Sequence, residues 1–69
     1  MSIAQAIKHY RYKQGLTQAD IADRIGRTTR SVKRYEKGST IPSIEILEKI
    51  FVGVDIQKLI YMKILEVNG

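Results

Sequence analysis

The sequence predicts an all-α fold, a compact bundle of five short helices, and three observations carry that prediction. No stretch of the 69 residues sustains the apolar–polar alternation that a half-buried strand needs. Gly15, Gly26, Gly38, Pro42 and Gly53 cut the chain into five pieces of helix length. Residues able to cap a helix, Ser2, Thr17, Ser43 and Asp55, stand ahead of four of the pieces.

Helix 1 is expected over about Ser2 to Gln14, with Ser2 and Gln5 forming a capping box and Gly15 closing the C-terminal end. Ile3, Ala6, Ile7 and Tyr10 share one stripe of it, while Lys8, His9 and Tyr12 point elsewhere. Helix 2 follows Thr17 and ends at Ile25. Its inner face is expected to be Ala19, Ile21, Ala22 and Ile25, its outer face Asp20, Asp23 and Arg24. Helix 3 follows Thr28 and stops at Gly38. Helix 4, about Ser43 to Phe51, enters through Pro42 and is capped by Ser43. Asp55 caps helix 5, Ile56 to about Val67, with Ile56, Leu59, Ile60, Ile64 and Val67 expected to face the core. The whole chain, 1–69, reads as one domain without linker or repeat.

Charge is distributed unevenly. Residues 1–38 carry nine Lys or Arg against three acids, and residues 39–69 carry three against four. On a helical wheel Thr29, Arg30, Lys33, Arg34 and Lys37 fall within an arc of roughly 140°, with Ser31, Val32 and Tyr35 opposite. An ordinary surface helix mixes signs and gains from pairing them. Four like charges on one face repel, and an array of phosphates relieves that repulsion. The polar face of helix 3 therefore points to nucleic acid rather than to a merely solvated surface.

The spacing upstream adds to this. Ala22 is small enough for a close helix crossing, Gly26 lies at a tight turn, and Val32 faces Ala22 from helix 3. With "GLTQADIADRIG", "SVKRYEKG" and "PSIEILEKI", the chain resembles the phage repressor and Cro-like helix-turn-helix proteins, the XRE family, over about Ile7 to Leu59. The resemblance implies a lambda-repressor-like bundle with the helix-turn-helix at 17–38. It implies that the second helix of the motif lies in the major groove of double-stranded DNA. Thr29, Arg30, Lys33 and Arg34 would then read bases, the arginines by paired hydrogen bonds to guanine. Thr17, Gln18, Arg27, Thr28, Lys37, Ser39 and Thr40 would meet the DNA backbone, which positions without specifying. Arg11 and Glu36 match a pair that in the family forms an internal salt bridge between helices 1 and 3. Arg27 stands where the family pattern has a small apolar residue. The interval from Leu47 to Gly53 is shorter than usual, which predicts a clipped helix 4.

Tyr61, Met62 and Leu65 fall away from the expected inner stripe of helix 5. They suggest a homodimer seam at residues 55–67; the alternative is that the last residues fray or fold back onto helix 1. Symmetric dimers of the family read near-palindromic operators with half-sites about one helical turn apart.

Other chemistries find no support in the sequence. With no cysteine, a disulfide scaffold and a Cys-ligated zinc module are excluded. His9 is alone, with no second ligand at metal spacing. Ser31 has no His–Asp partners, and there is no Gly-rich phosphate loop or carboxylate pair, so no enzyme and no cofactor are expected. No signal peptide or long apolar run appears, and the expected location is cytoplasmic. The sequence thus predicts a transcriptional regulator, with repression by occlusion the expected mode because no effector domain is evident. An autoregulating antitoxin, a restriction–modification controller and a protein-interaction adaptor working through helix 5 are the alternatives.

Overall fold

The computed structural model describes residues 2–68, with side chains described through residue 66. Five helices follow one another: α1 (Ile3–Lys13), α2 (Gln18–Ile25), α3 (Thr29–Lys37), α4 (Ile44–Ile50) and α5 (Ile56–Asn68). Each boundary has a local cause. Ser2 and Gln5 exchange hydrogen bonds of 3.1 Å in a capping box, and Thr17 and Asp20 do the same at 3.1 and 2.8 Å. The hydroxyls of Thr28 and Ser43 accept from the amides of Ser31 and Ile46, and the Asp55 carboxylate accepts from Gln57. Such a cap stabilises a helix by about 0.5–2 kcal/mol.

The C-terminal ends of α2 and α3 each turn on a glycine in the left-handed region, Gly26 at φ 66° and Gly38 at φ 80°. Arg27 N–H returns to the Ala22 carbonyl and Ser39 N–H to that of Arg34, completing the hydrogen-bonded turns that end both helices. A side chain at Gly26 would meet no atom within 4 Å, so its requirement there is purely conformational.

α2 and α3 cross in contact; α1 packs on α3, α2 on α4, and α5 on α4 and α1. One core joins them: Ile3 and Ile7 of α1, Ile21, Ala22 and Ile25 of α2, Val32 of α3, Ile46, Leu47 and Ile50 of α4, then Phe51 and Leu59. Burying an aliphatic side chain of this size contributes roughly 1.5–3 kcal/mol. The Tyr10 and Phe51 rings pack in a T-shaped arrangement with centroids 5.2 Å apart. Arg24 donates to the Ile50 carbonyl at 3.1 Å and to the Tyr10 hydroxyl at 3.3 Å, tying α2 to the end of α4. α4 has seven residues and stops at Phe51, as short as the sequence predicts.

Two sequence expectations are corrected. Ala19 is exposed, because the inner face of α2 is narrow and is filled by Ile21, Ala22 and Ile25. On α5 the inward stripe is Leu59 with Met62, one turn apart, while Ile56, Ile60 and Ile64 are exposed. Only a thin strip of α5 is covered, because its neighbours are the short α4 and α1. Val67, assigned to the inner stripe from the sequence, lies outside the described side chains. No helix among the described residues is long and apolar enough to cross a membrane.

Candidate nucleic-acid interface

α3 is held from beneath by Val32, which is fully buried in the core that also contains Ala22. That anchoring decides what the rest of α3 presents. Arg30, Lys33, Arg34 and Lys37 are all exposed, Thr29, Ser31 and Tyr35 are half-buried, and Glu36 is buried. The outward face of α3 therefore carries positive charge alone. The hydroxyls of Thr28 and Ser31 lie 3.2 Å apart at its N-terminal end.

Glu36, the one acid of α3, faces α1. Arg11 grips it through two parallel hydrogen bonds, Nε to Oε2 at 2.7 Å and Nη2 to Oε1 at 3.0 Å. The third guanidinium nitrogen donates to the Leu16 carbonyl at 3.2 Å, across the loop between α1 and α2. Both side chains are nearly out of solvent, 10% exposed for Arg11 and 3% for Glu36. Burial alone would push the Glu36 carboxyl up. Hydrogen bonds from Arg11 and Gln18, with the charges of Arg11 and Lys8, outweigh it and hold the carboxyl below the ordinary range. The hydrogen bond to Glu36 likewise raises Arg11 above its usual value despite desolvation. Among the described residues no buried side-chain nitrogen or oxygen lacks a partner.

The residues expected on the DNA backbone separate into groups. Thr17, Arg27, Thr28, Lys37, Ser39 and Thr40 are exposed. Gln18 is half-buried and its amide donates to Glu36 Oε1 at 3.2 Å, so it extends the Arg11–Glu36 network. Arg34 borders a shallow pocket with Ser31, Tyr35 and Thr40 on one flank of α3. Lys33 and Lys37 border a groove shared with α1 on the other. Lys8, which the sequence places only on the polar side of helix 1, stands in that second groove. Its position follows from how α1 packs against α3, a relation that helical periodicity within α1 does not carry.

On α5, Tyr61 and Leu65 are exposed, 63% and 53%. Met62, grouped with them from the sequence, is half-buried. It packs against the core, and Ile60 and Ile64 take the outward positions instead. His9 and Tyr12 are exposed, and no cluster of His, Asp or Glu suited to a metal occurs among the described residues.

A family model described as helix-turn-helix matches residues 7–52. The cryptic phage CTXphi transcriptional repressor RstR of Vibrio cholerae is 38% identical over 56 residues, 81% of this chain and 50% of its own. An uncharacterised helix-turn-helix-type transcriptional regulator of Methanocaldococcus jannaschii is 36% identical over 55 residues, 77% of this chain and 83% of its own. Multiprotein-bridging factor 1 of Schizosaccharomyces pombe is 39% identical over 49 residues, 71% of this chain but 33% of its own. The chain thus spans a third and a half of the lengths of two of these relatives. No solved structure matches it.

Proposed function

Since the chain belongs to the helix-turn-helix family of transcriptional regulators, we propose that it binds a specific double-stranded DNA operator and represses transcription by occupying it. The observation that carries this reading is the single-sign outward face of α3, with its only acid turned inward onto Arg11. α3 enters the major groove. Arg30 and Arg34 read guanine edges, each worth about 1–3 kcal/mol of discrimination, with Thr29 and Lys33 beside them. Lys37, Thr17, Arg27, Thr28, Ser39 and Thr40 bear on the phosphates, and Gln18 supports the site through Glu36. The protein works in the cytoplasm, where its DNA is.

The working form is a homodimer joined through the exposed apolar face of α5, where Ile60, Tyr61, Ile64 and Leu65 cluster. Two such subunits place two α3 helices about 34–36 Å apart on a near-palindromic site. The likeness to a phage repressor supports repression, and occlusion of polymerase requires only this surface.

The same apolar face favours one second reading, an adaptor that binds another protein through α5. Selection of bound sequences from a random duplex pool, followed by salt titration of the winners, separates the two. A regulator yields a symmetric consensus and an affinity falling steeply with salt. An adaptor yields neither.

A further inference from the structure

The groove beside α3 has one wall from α1, which lies outside the helix-turn-helix itself. Lys8 and Tyr12 line that wall, Lys33 and Lys37 the other, and the Arg11–Gln18–Glu36 network forms the floor. Both oxygens of the only carboxylate there are occupied, by Arg11 and by Gln18. The one salt bridge among the described residues is Arg11–Glu36, so Lys8, Lys33 and Lys37 have no carboxylate of their own. Four cations facing one spent carboxylate make this groove a place for an anion that the chain does not supply.

The geometry also says which anion. An α-helix with its side chains is about 10–12 Å across and fills a major groove about 12 Å wide, so a sugar–phosphate strand borders each flank. On one flank of α3 are Arg34 and Thr40. On the other is the α1 groove, where Lys33 and Lys37 stand one helical turn apart with Lys8 and Tyr12 opposite. We propose that α1 is part of the DNA-contacting surface: one strand runs along the α1–α3 groove, its phosphodiesters gripped by Lys8 together with Lys33 and Lys37 and hydrogen-bonded by Tyr12. This rests on the DNA-binding reading given above. It assigns Lys33 to the strand at least as much as to the bases.

The test is affinity for a random-sequence duplex pool and for the selected operator, measured against salt. Lys8→Gln should lower the magnitude of the log–log salt slope by about 0.9 and weaken binding about five-fold at 0.15 M salt. The loss should be equal for pool and operator, and Lys8→Arg should restore the slope. Lys49→Gln, on the exposed side of α4, removes the same charge and should leave the slope unchanged. All three lysine variants should keep the wild-type far-UV circular dichroism, because both positions are exposed.

A Lys8→Gln slope equal to that of Lys49→Gln, with wild-type binding intact, overturns the α1 contact and leaves the DNA-binding reading standing. Wild-type protein with no salt-dependent duplex affinity overturns both. Titration with inorganic phosphate separates the sources of the anion by NMR. If free phosphate shifts the Lys8 and Tyr12 resonances and the duplex does not, the strand contact is refuted in favour of a small-anion site.

Discussion

Replacing Arg11 by Met should reverse the way the Glu36 carboxyl couples stability to pH. In the wild type that carboxyl is held below its ordinary range. The unfolded chain then binds more protons as the medium acidifies, so this group's stabilisation is complete above the unfolded pKa, near 4.3, and is lost as pH falls through the folded value. With Met at position 11 the stem packing is largely kept, but Glu36, 3% exposed, retains only Gln18 as partner. Breaking a buried pair by removing one side costs about 3–5 kcal/mol. A chain of this length has roughly 3–10 kcal/mol of total stability at 0.05–0.15 kcal/mol per residue, so the variant should be near its threshold at pH 7. Burial now dominates and raises the carboxyl, so acidification should recover stability by protonating it in the folded state. Urea unfolding followed by circular dichroism at pH 7, 5.5 and 4.5, at constant ionic strength, reads this directly. The gap between wild type and variant should be widest at pH 7 and narrow with acid. Asp20, held low by its hydrogen bonds to Thr17, titrates alike in both proteins and cancels from that gap. Arg11→Met with Glu36→Leu should recover most of the loss. A gap under 1 kcal/mol at pH 7, or one that does not close with acid, refutes the reasoning.

Three further outcomes are expected. Ala22→Leu inserts three carbons where α2 crosses α3 and should destabilise by about 1–3 kcal/mol in urea unfolding, because Ala22 is 3% exposed in a filled core. Arg34→Ala should flatten sequence preference at one operator position, whereas Lys37→Ala should weaken every duplex alike and reduce the salt slope by about 1; competition binding against single-base variants measures both. Ile60→Lys with Ile64→Lys should leave unfolding unchanged, since both residues are exposed, and convert a dimer to monomer in sedimentation equilibrium.

The helix order, four of the five N-terminal caps and the glycine turns were legible in the sequence because each is a local event within four or five residues, and the Thr28 cap is a structural finding. The cationic face of α3 was legible for the same reason: its periodicity needs no knowledge of other helices. What escaped were relations between helices. Gln18 turns to Glu36 because α2 begins beside the C-terminal half of α3. Arg24, polar and on the outer side of α2 by periodicity, reaches the Ile50 carbonyl across the end of α4. On α5 the wheel offered a broad apolar surface, and which strip is covered depends on its short neighbours; the structure chose Leu59 and Met62.

The internal salt bridge shapes the recognition surface as well as the fold. In an isolated helix Glu36 would stand one turn from Lys33 and could pair with it at the i,i+3 spacing. Such a pair would neutralise a cation on the outward face and add a carboxylate that repels phosphate. Arg11 prevents this by taking both oxygens, and the buried site prevents exchange with solvent cations. The pair thus moves one negative charge from the surface to the seam between α1 and α3. A buried pair of this kind is weak evidence for stability, since packed apolar side chains in its place often stabilise as much or more. Its value lies in where the charge is put: the four cations of α3 are left facing outward without an internal partner among the described residues, and an external array of phosphates relieves their mutual repulsion.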